Sequence, residues 1–195
     1  MRARLVLYAC EITCELREVI LRNKPQEMID ISAKATVPVL LLPDATVIDE
    51  SYDIILWAIK QNDPNNWSSH LEETTYLVKI NDDQFKIHLD KYKYSSRHPE
   101  LPKEGHRENA TFFLEQLDQL LGKKKFLSAD HQTVTDLSIF PFIRQFAFVD
   151  KNYFDQLDFP NLQRWLNWNL NSPLFSNIMQ KYECWEKGQK KTLFA

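Results

Sequence analysis

The apolar positions of this chain change their spacing several times, and each change marks an element. From Arg2 to Cys10 the spacing is helical, with Met1, Leu5, Tyr8 and Ile12 on one stripe. Thr13 to Leu21 switches to alternation, with Cys14, Leu16 and Glu18 set against Glu15, Arg17 and Val19. That pattern predicts a strand, stopped by Asn23-Lys24-Pro25. Pro25 suits the start of a short helix running to Ala33. Val39 to Leu42 is an apolar run short enough for one buried strand, and Pro38, which has no N–H for a ladder, stands just before it. Pro43-Asp44-Ala45 turns the chain into a second short strand, Thr46 to Ile48. Asp49, Glu50 and Ser51 then fall where a helix is capped. Ile54, Ile55, Trp57, Ala58 and Ile59 carry that helix to Gln61.

Asn62-Asp63-Pro64-Asn65-Asn66 is a cluster of turn formers and reads as a linker. Beyond it every segment reads helical. Leu71 to Arg97 forms one long helix, with Tyr76, Leu77, Ile80, Phe85, Ile87 and Leu89 near helical spacing, broken by His98-Pro99-Glu100-Leu101-Pro102. Lys103 to Leu121 follows, with Gly122 as its C-cap. Thr133 to Val149, Pro160 to Asn171 and Leu174 to Lys187 complete the series. Thr133-Val134-Thr135-Asp136 has the spacing of a capping box, a folding device rather than a catalytic carboxylate, and Pro141 should kink the helix it sits in. The predicted partition is a mixed α/β domain over 1–61, a linker over 62–69, and an all-helical domain over 70–195.

Composition narrows the chemistry. With 195 residues, 44% of them hydrophobic, the chain can bury a sizeable core. The 24 basic and 27 acidic residues leave a net charge of -3, which gives no footprint for nucleic acid or an anionic membrane. The Lys123-Lys124-Lys125 run reads as a solvated helix end. No segment approaches the ~20 apolar residues of a spanning helix, and Arg2 and Arg4 lead into too few apolar residues for a secretory signal. The glycines, Gly105, Gly122 and Gly188, are not spaced as a phosphate-cradling loop. Three cysteines argue against a disulfide scaffold and for a reducing, cytoplasmic setting. Cys10 and Cys14 are spaced C-x-x-x-C rather than as a redox pair, and with Cys184 they read as structural. His70, His88, His98, His106 and His131 share no ligand spacing with any cysteine, so no metal site is expected.

Two stretches carry a resemblance. TVPVLLLPDATVIDES, Thr36 to Ser51, resembles the glutathione-binding half of a glutathione transferase, and TVTDLSIFPFIRQFA, Thr133 to Ala147, resembles the central helix of that family's second domain. LDKYKY, Leu89 to Tyr94, resembles a bacterial branch more loosely. The fold so implied is an α/β thioredoxin-like N-terminal domain followed by an all-α helical bundle. The resemblance also implies a cis Val37-Pro38 bond that turns the Val37 N–H and C=O outward to pair with an extended tripeptide. Glu50 would meet the γ-glutamyl ammonium. Ser51, with the amides of its helix N-terminus, would meet the γ-glutamyl carboxylate. Lys34 would meet the glycyl carboxylate. Tyr92, Tyr94 and Phe112 become candidates for an electrophile pocket, against the plainer reading of bundle core.

In that family the thiol is activated by a Ser, Tyr or Cys near the start of the first helix, after a first strand. MRARLVLYAC resembles the sequence just past such a residue, so the expectation is that strand and activating residue lie upstream of Met1. The implied activity is conjugation of the glutathione thiolate to small electrophiles, or exchange with thiols, by a detoxifying homodimer. Glutathione would be the co-substrate, with neither metal nor nucleic acid. The alternative is a non-catalytic interaction module of the same fold. A glutaredoxin-type reductase would need a cysteine upstream.

Overall fold

The computed structural model describes residues 1–100 and 102–194. Two compact units emerge, one formed by Met1–Pro64 together with the chain from Pro173 onward, the other by Asn65–Ser172.

The first unit opens with α1 (Arg2–Ala9), then β1 (Cys14–Glu15), α2 (Gln26–Ile31), the hairpin β2 (Leu40–Leu41) and β3 (Val47–Ile48), and α3 (Ser51–Gln61). The buried stripe of α1 is not the expected one. Leu5 and Val6 are buried, whereas Met1 is exposed and Tyr8 and Ile12 are half-buried. Arg2 lies on the buried stripe, three and four residues before Leu5 and Val6. In α3, Ile54, Ile55, Ala58 and Ile59 form the buried face, at the helical spacing predicted, and α3 packs on α1.

The β2–β3 hairpin is a two-stranded antiparallel ribbon, Leu40 opposite Ile48 and Leu41 opposite Val47. The expectation of a buried strand fails here: Leu41 is 49% exposed, because a ribbon paired on one side only leaves its apolar residues half covered. The turn is closed by the Asp44 carboxylate, which accepts from the Thr46 N–H at 2.9 Å.

The strand predicted over Thr13–Leu21 shrinks to Cys14–Glu15, and its partner comes from the far end of the chain. β4 (Leu193–Phe194) pairs antiparallel with it, Cys14 opposite Phe194. The helix predicted from Leu174 to Lys187 is correspondingly cut short. α10 spans Pro173–Ile178, after which the chain runs irregularly back along Glu18, where the Trp185 N–H donates to the Glu18 carbonyl at 2.7 Å. Arg17 stacks on the Trp185 ring and Phe194 is buried, so tertiary partners win over helix propensity in this polar tail. Cys184 therefore lies outside any helix and is exposed.

The second unit contains α4 (Leu71–Ile80), α5 (Lys86–Lys93), α6 (Lys103–Leu121), α7 (Val134–Ala147), α8 (Lys151–Gln156) and α9 (Pro160–Leu170). A wide π-type turn over Asn81–Phe85 joins α4 to α5, so the predicted long helix is continuous to Lys93 but not uniform. Of the break proposed at His98–Pro102, Leu101 lies outside the described residues. Gly122 ends α6 in right-handed conformation, not as a left-handed cap. The capping box of α7 forms, and the helix runs on through Pro141. The buried core of this unit includes Phe85, Leu89, Leu114, Phe140, Phe146 and Trp165.

Candidate functional site

Of the sequence-predicted residues of the first unit, Lys34, Glu50 and Ser51 come together where β3 runs into α3. Glu50 occupies the N-cap position of α3, yet no side chain caps the helix. Its carboxylate turns instead to Lys34, whose Nζ donates to Glu50 at 2.9 Å and to Asp49 at 3.1 Å. Asp49 also accepts from the buried Ser32 hydroxyl at 3.0 Å. The hydrogen bonds from Lys34 and then Ser32 hold the Asp49 carboxyl below the usual carboxylate range. The Glu50 and Asp49 carboxylates in turn raise the Lys34 ammonium above its ordinary value. Two acids thus share one ammonium, which leaves the cluster with net negative charge beside the start of a helix.

Ser51, the first residue of α3, faces the opposite polarity. Its Oγ accepts from the Arg2 guanidinium at 3.4 Å, and Arg2 is buried. The helix N-terminus adds its own positive end at this point. In the sequence alone, Arg2 served only to exclude a secretory signal. The available signal was its register with Leu5 and Val6.

Among the described residues Val37-Pro38 is the cis peptide. Val37 is exposed, and its main-chain N–H and C=O have no partner among the described residues. Lys34 stands beside Glu50 rather than a tripeptide's length away, a span of ~10 Å for three extended residues. The three aromatic candidates have unlike surroundings. Tyr92 is wholly buried against Phe146, Tyr94 has the Lys93 and Arg97 cations each 4.9 Å from its ring centroid, and Phe112 is 72% exposed.

Cys10 and Cys14 are poor nucleophiles here. Burial pushes the Cys10 thiol up to about 11, assisted by Asp63, and burial raises Cys14 as well. Among the described residues no group of three or more His, Cys, Asp or Glu is placed to hold a metal ion, and no helix is long and apolar enough to cross a membrane.

An α/β unit whose hairpin delivers paired charges to a helix N-terminus, joined to a separate helical unit, is a thioredoxin-like domain with an all-α companion. Residues 1–61 match the family model of the glutathione S-transferase N-terminal domain, and residues 103–167 match that of the C-terminal domain. The chain belongs to the glutathione transferase superfamily. Solved structures agree in fold. A glutathione transferase family member from Pseudomonas fluorescens pf-5, with two glutathione bound, is 18% identical over 91% of this chain and 86% of its own, with a TM-score of 0.78. The transferase URE2P6 from Phanerochaete chrysosporium, in complex with oxidized glutathione, is 19% identical over 91% and 88%, with a TM-score of 0.76. Glutathione S-transferase 1-6 from Anopheles dirus species B is 18% identical over 91% and 87%, with a TM-score of 0.69. No curated protein matches the chain.

Proposed function

We propose that this protein binds glutathione at the junction of β3 and α3 and conjugates its thiolate to small electrophiles, with thiol exchange as the related reaction. One observation carries the reading: the Asp49–Glu50 acid pair adjoins Ser51 at the start of α3. An ammonium on the acids and a carboxylate on Ser51 and the helix amides is the pattern that an α-amino acid head, such as that of a γ-glutamyl group, satisfies. The outward-open main chain of Val37 suits the cysteinyl part, and the family relationship and two glutathione-bound neighbours point the same way.

The chemistry required is selective stabilisation of a thiolate. A thiol of pKa ~8.5 lowered by two units needs about 2.7 kcal/mol. A helix N-terminus and one donor supply such a term. Cys10, at about 11, cannot act as the nucleophile in its place. The reading extends to a homodimer in the cytoplasm that clears electrophiles. The family relationship supports the dimer, and the free state of all three cysteines supports a reducing compartment.

Titration calorimetry with glutathione tests the reading. Binding is expected, weakened at least about tenfold in Glu50→Ala and in Ser51→Ala, since each removes a charge-assisted contact. No binding, or binding indifferent to both substitutions, overturns it. Conjugation to an aryl halide, followed by absorbance, then separates transfer from binding alone.

A further inference from the structure

We propose that Arg2 is a positioning residue of this site, turning the Ser51 hydroxyl toward the α-carboxylate of the γ-glutamyl group; the proposal rests on the glutathione reading above. Arg2 is only 3% exposed and sits in the first turn of α1, on the stripe with Leu5 and Val6. A guanidinium in that position loses its water and faces the positive end of its own helix.

The contact with Ser51 is the geometry that matters. A serine hydroxyl has one proton and two lone pairs. Nη1 of Arg2 donates to Oγ at 3.4 Å and so uses a lone pair. The hydroxyl proton is left to be given away, and the guanidinium polarises it toward an acceptor. Ser51 is the first residue of α3, an eleven-residue helix without a side-chain cap, so the preferred acceptor is an anion. One and two residues earlier, Glu50 and Asp49 hold their shared ammonium and favour a second cation. The paired polarity selects an ammonium and a carboxylate borne on one carbon. Arg2 sets the carboxylate half of that selection without touching the ligand itself.

The test compares two ligands, glutathione and its analogue in which the γ-glutamyl α-carboxylate is an amide, by calorimetry on the full chain. The wild type is expected to prefer glutathione by about tenfold or more, a difference of one charge-assisted contact. Arg2→Gln should lower glutathione affinity about tenfold while leaving the amide within about twofold. In the Arg2→Gln/Ser51→Ala double variant the loss should be no greater than in Ser51→Ala alone, because both act on one contact. Equal weakening of both ligands by Arg2→Gln, the pattern of a packing role, overturns the proposal, as do additive losses in the double variant. If Arg2→Gln does not fold, Arg2→Lys keeps the charge but not the reach: lost discrimination supports the proposal and retained discrimination overturns it. A wild type that binds neither ligand removes the glutathione reading and this proposal together. A wild type that binds with Arg2→Gln unchanged removes only the proposal.

Discussion

Asp136 offers the sharpest test of what holds the second unit together. Its carboxylate is fully buried and accepts from four donors: the Thr133 N–H at 2.8 Å, the Thr133 hydroxyl at 3.1 Å, the Leu127 N–H at 2.9 Å and the Trp165 indole N–H at 2.7 Å. Burial holds its pKa above the ordinary carboxylate range, and the four donors offset only part of that. Asp136→Ala leaves two main-chain N–H groups and an indole N–H buried without an acceptor, at about 1–3 kcal/mol each. Losing the cost of burying the carboxylate offsets part of the sum, so the expected net destabilisation is roughly 5 kcal/mol, which for a chain of this size lowers Tm by about 10–20 °C. Thr133→Ala removes only the cap hydroxyl and should cost about 1 kcal/mol. Asp136→Asn, which keeps one acceptor oxygen but points an N–H at a donor, should fall between them. Urea unfolding followed by far-ultraviolet circular dichroism measures all three. An Asp136→Ala loss under about 1 kcal/mol, or a Thr133→Ala loss as large as that of Asp136→Ala, refutes the reasoning.

Two further outcomes follow from the titratable groups. A thiol-disulfide reagent near pH 7.5 should label Cys184 quickly, Cys14 slowly and Cys10 only on unfolding, since Cys184 is exposed and burial holds Cys10 at about 11; peptide mapping that finds Cys10 labelled in the native protein within minutes contradicts this. His88 is held below its usual value by burial first, then by the His106 ring 6.1 Å away and by Lys91, so the unfolded chain takes up its proton first as pH falls below about 6.5. Stability should therefore drop between pH 7 and 5, less steeply in His88→Leu, and identical pH slopes for the two proteins would remove His88 from the account.

What could be read from the chain was local. The hairpin announces itself by Pro38 and Pro43 around an apolar run, α3 by the spacing of its isoleucines, and the α7 capping box by four consecutive residues. What was missed depends on partners far away in sequence. β1 is short and α10 ends early because the C-terminal tail pairs with residues 14–18, a choice no local pattern encodes. The site divides in the same way. Asp49, Glu50 and Ser51 stand out as a polar cluster at a helix start. Arg2 takes its meaning only from the packing of α1 on α3, across 49 residues. The wide turn at Asn81–Phe85 escaped because one extra residue per turn barely disturbs apolar spacing over so short a stretch.

Lys34 poses the last question, since its place beside Glu50 differs from the end-to-end arrangement that the resemblance implies. The charges suggest an exchange. Glutathione brings one ammonium and two carboxylates. If its ammonium takes the Glu50 carboxylate, the Lys34 ammonium is released, and the glycyl carboxylate is the anion left without a partner. The side chain is 53% exposed and flexible enough to swing between the two positions. The Glu50 carboxylate is then paired with an ammonium both before and after binding. Lys34→Ala should weaken glutathione about fivefold, as an exposed ion pair does, and leave γ-glutamylcysteine, which has no glycine, within about twofold. Equal weakening of both ligands would tie Lys34 to the acid pair in the bound state as well, and a tightening of both would make it a competitor of the ligand's ammonium rather than its successor.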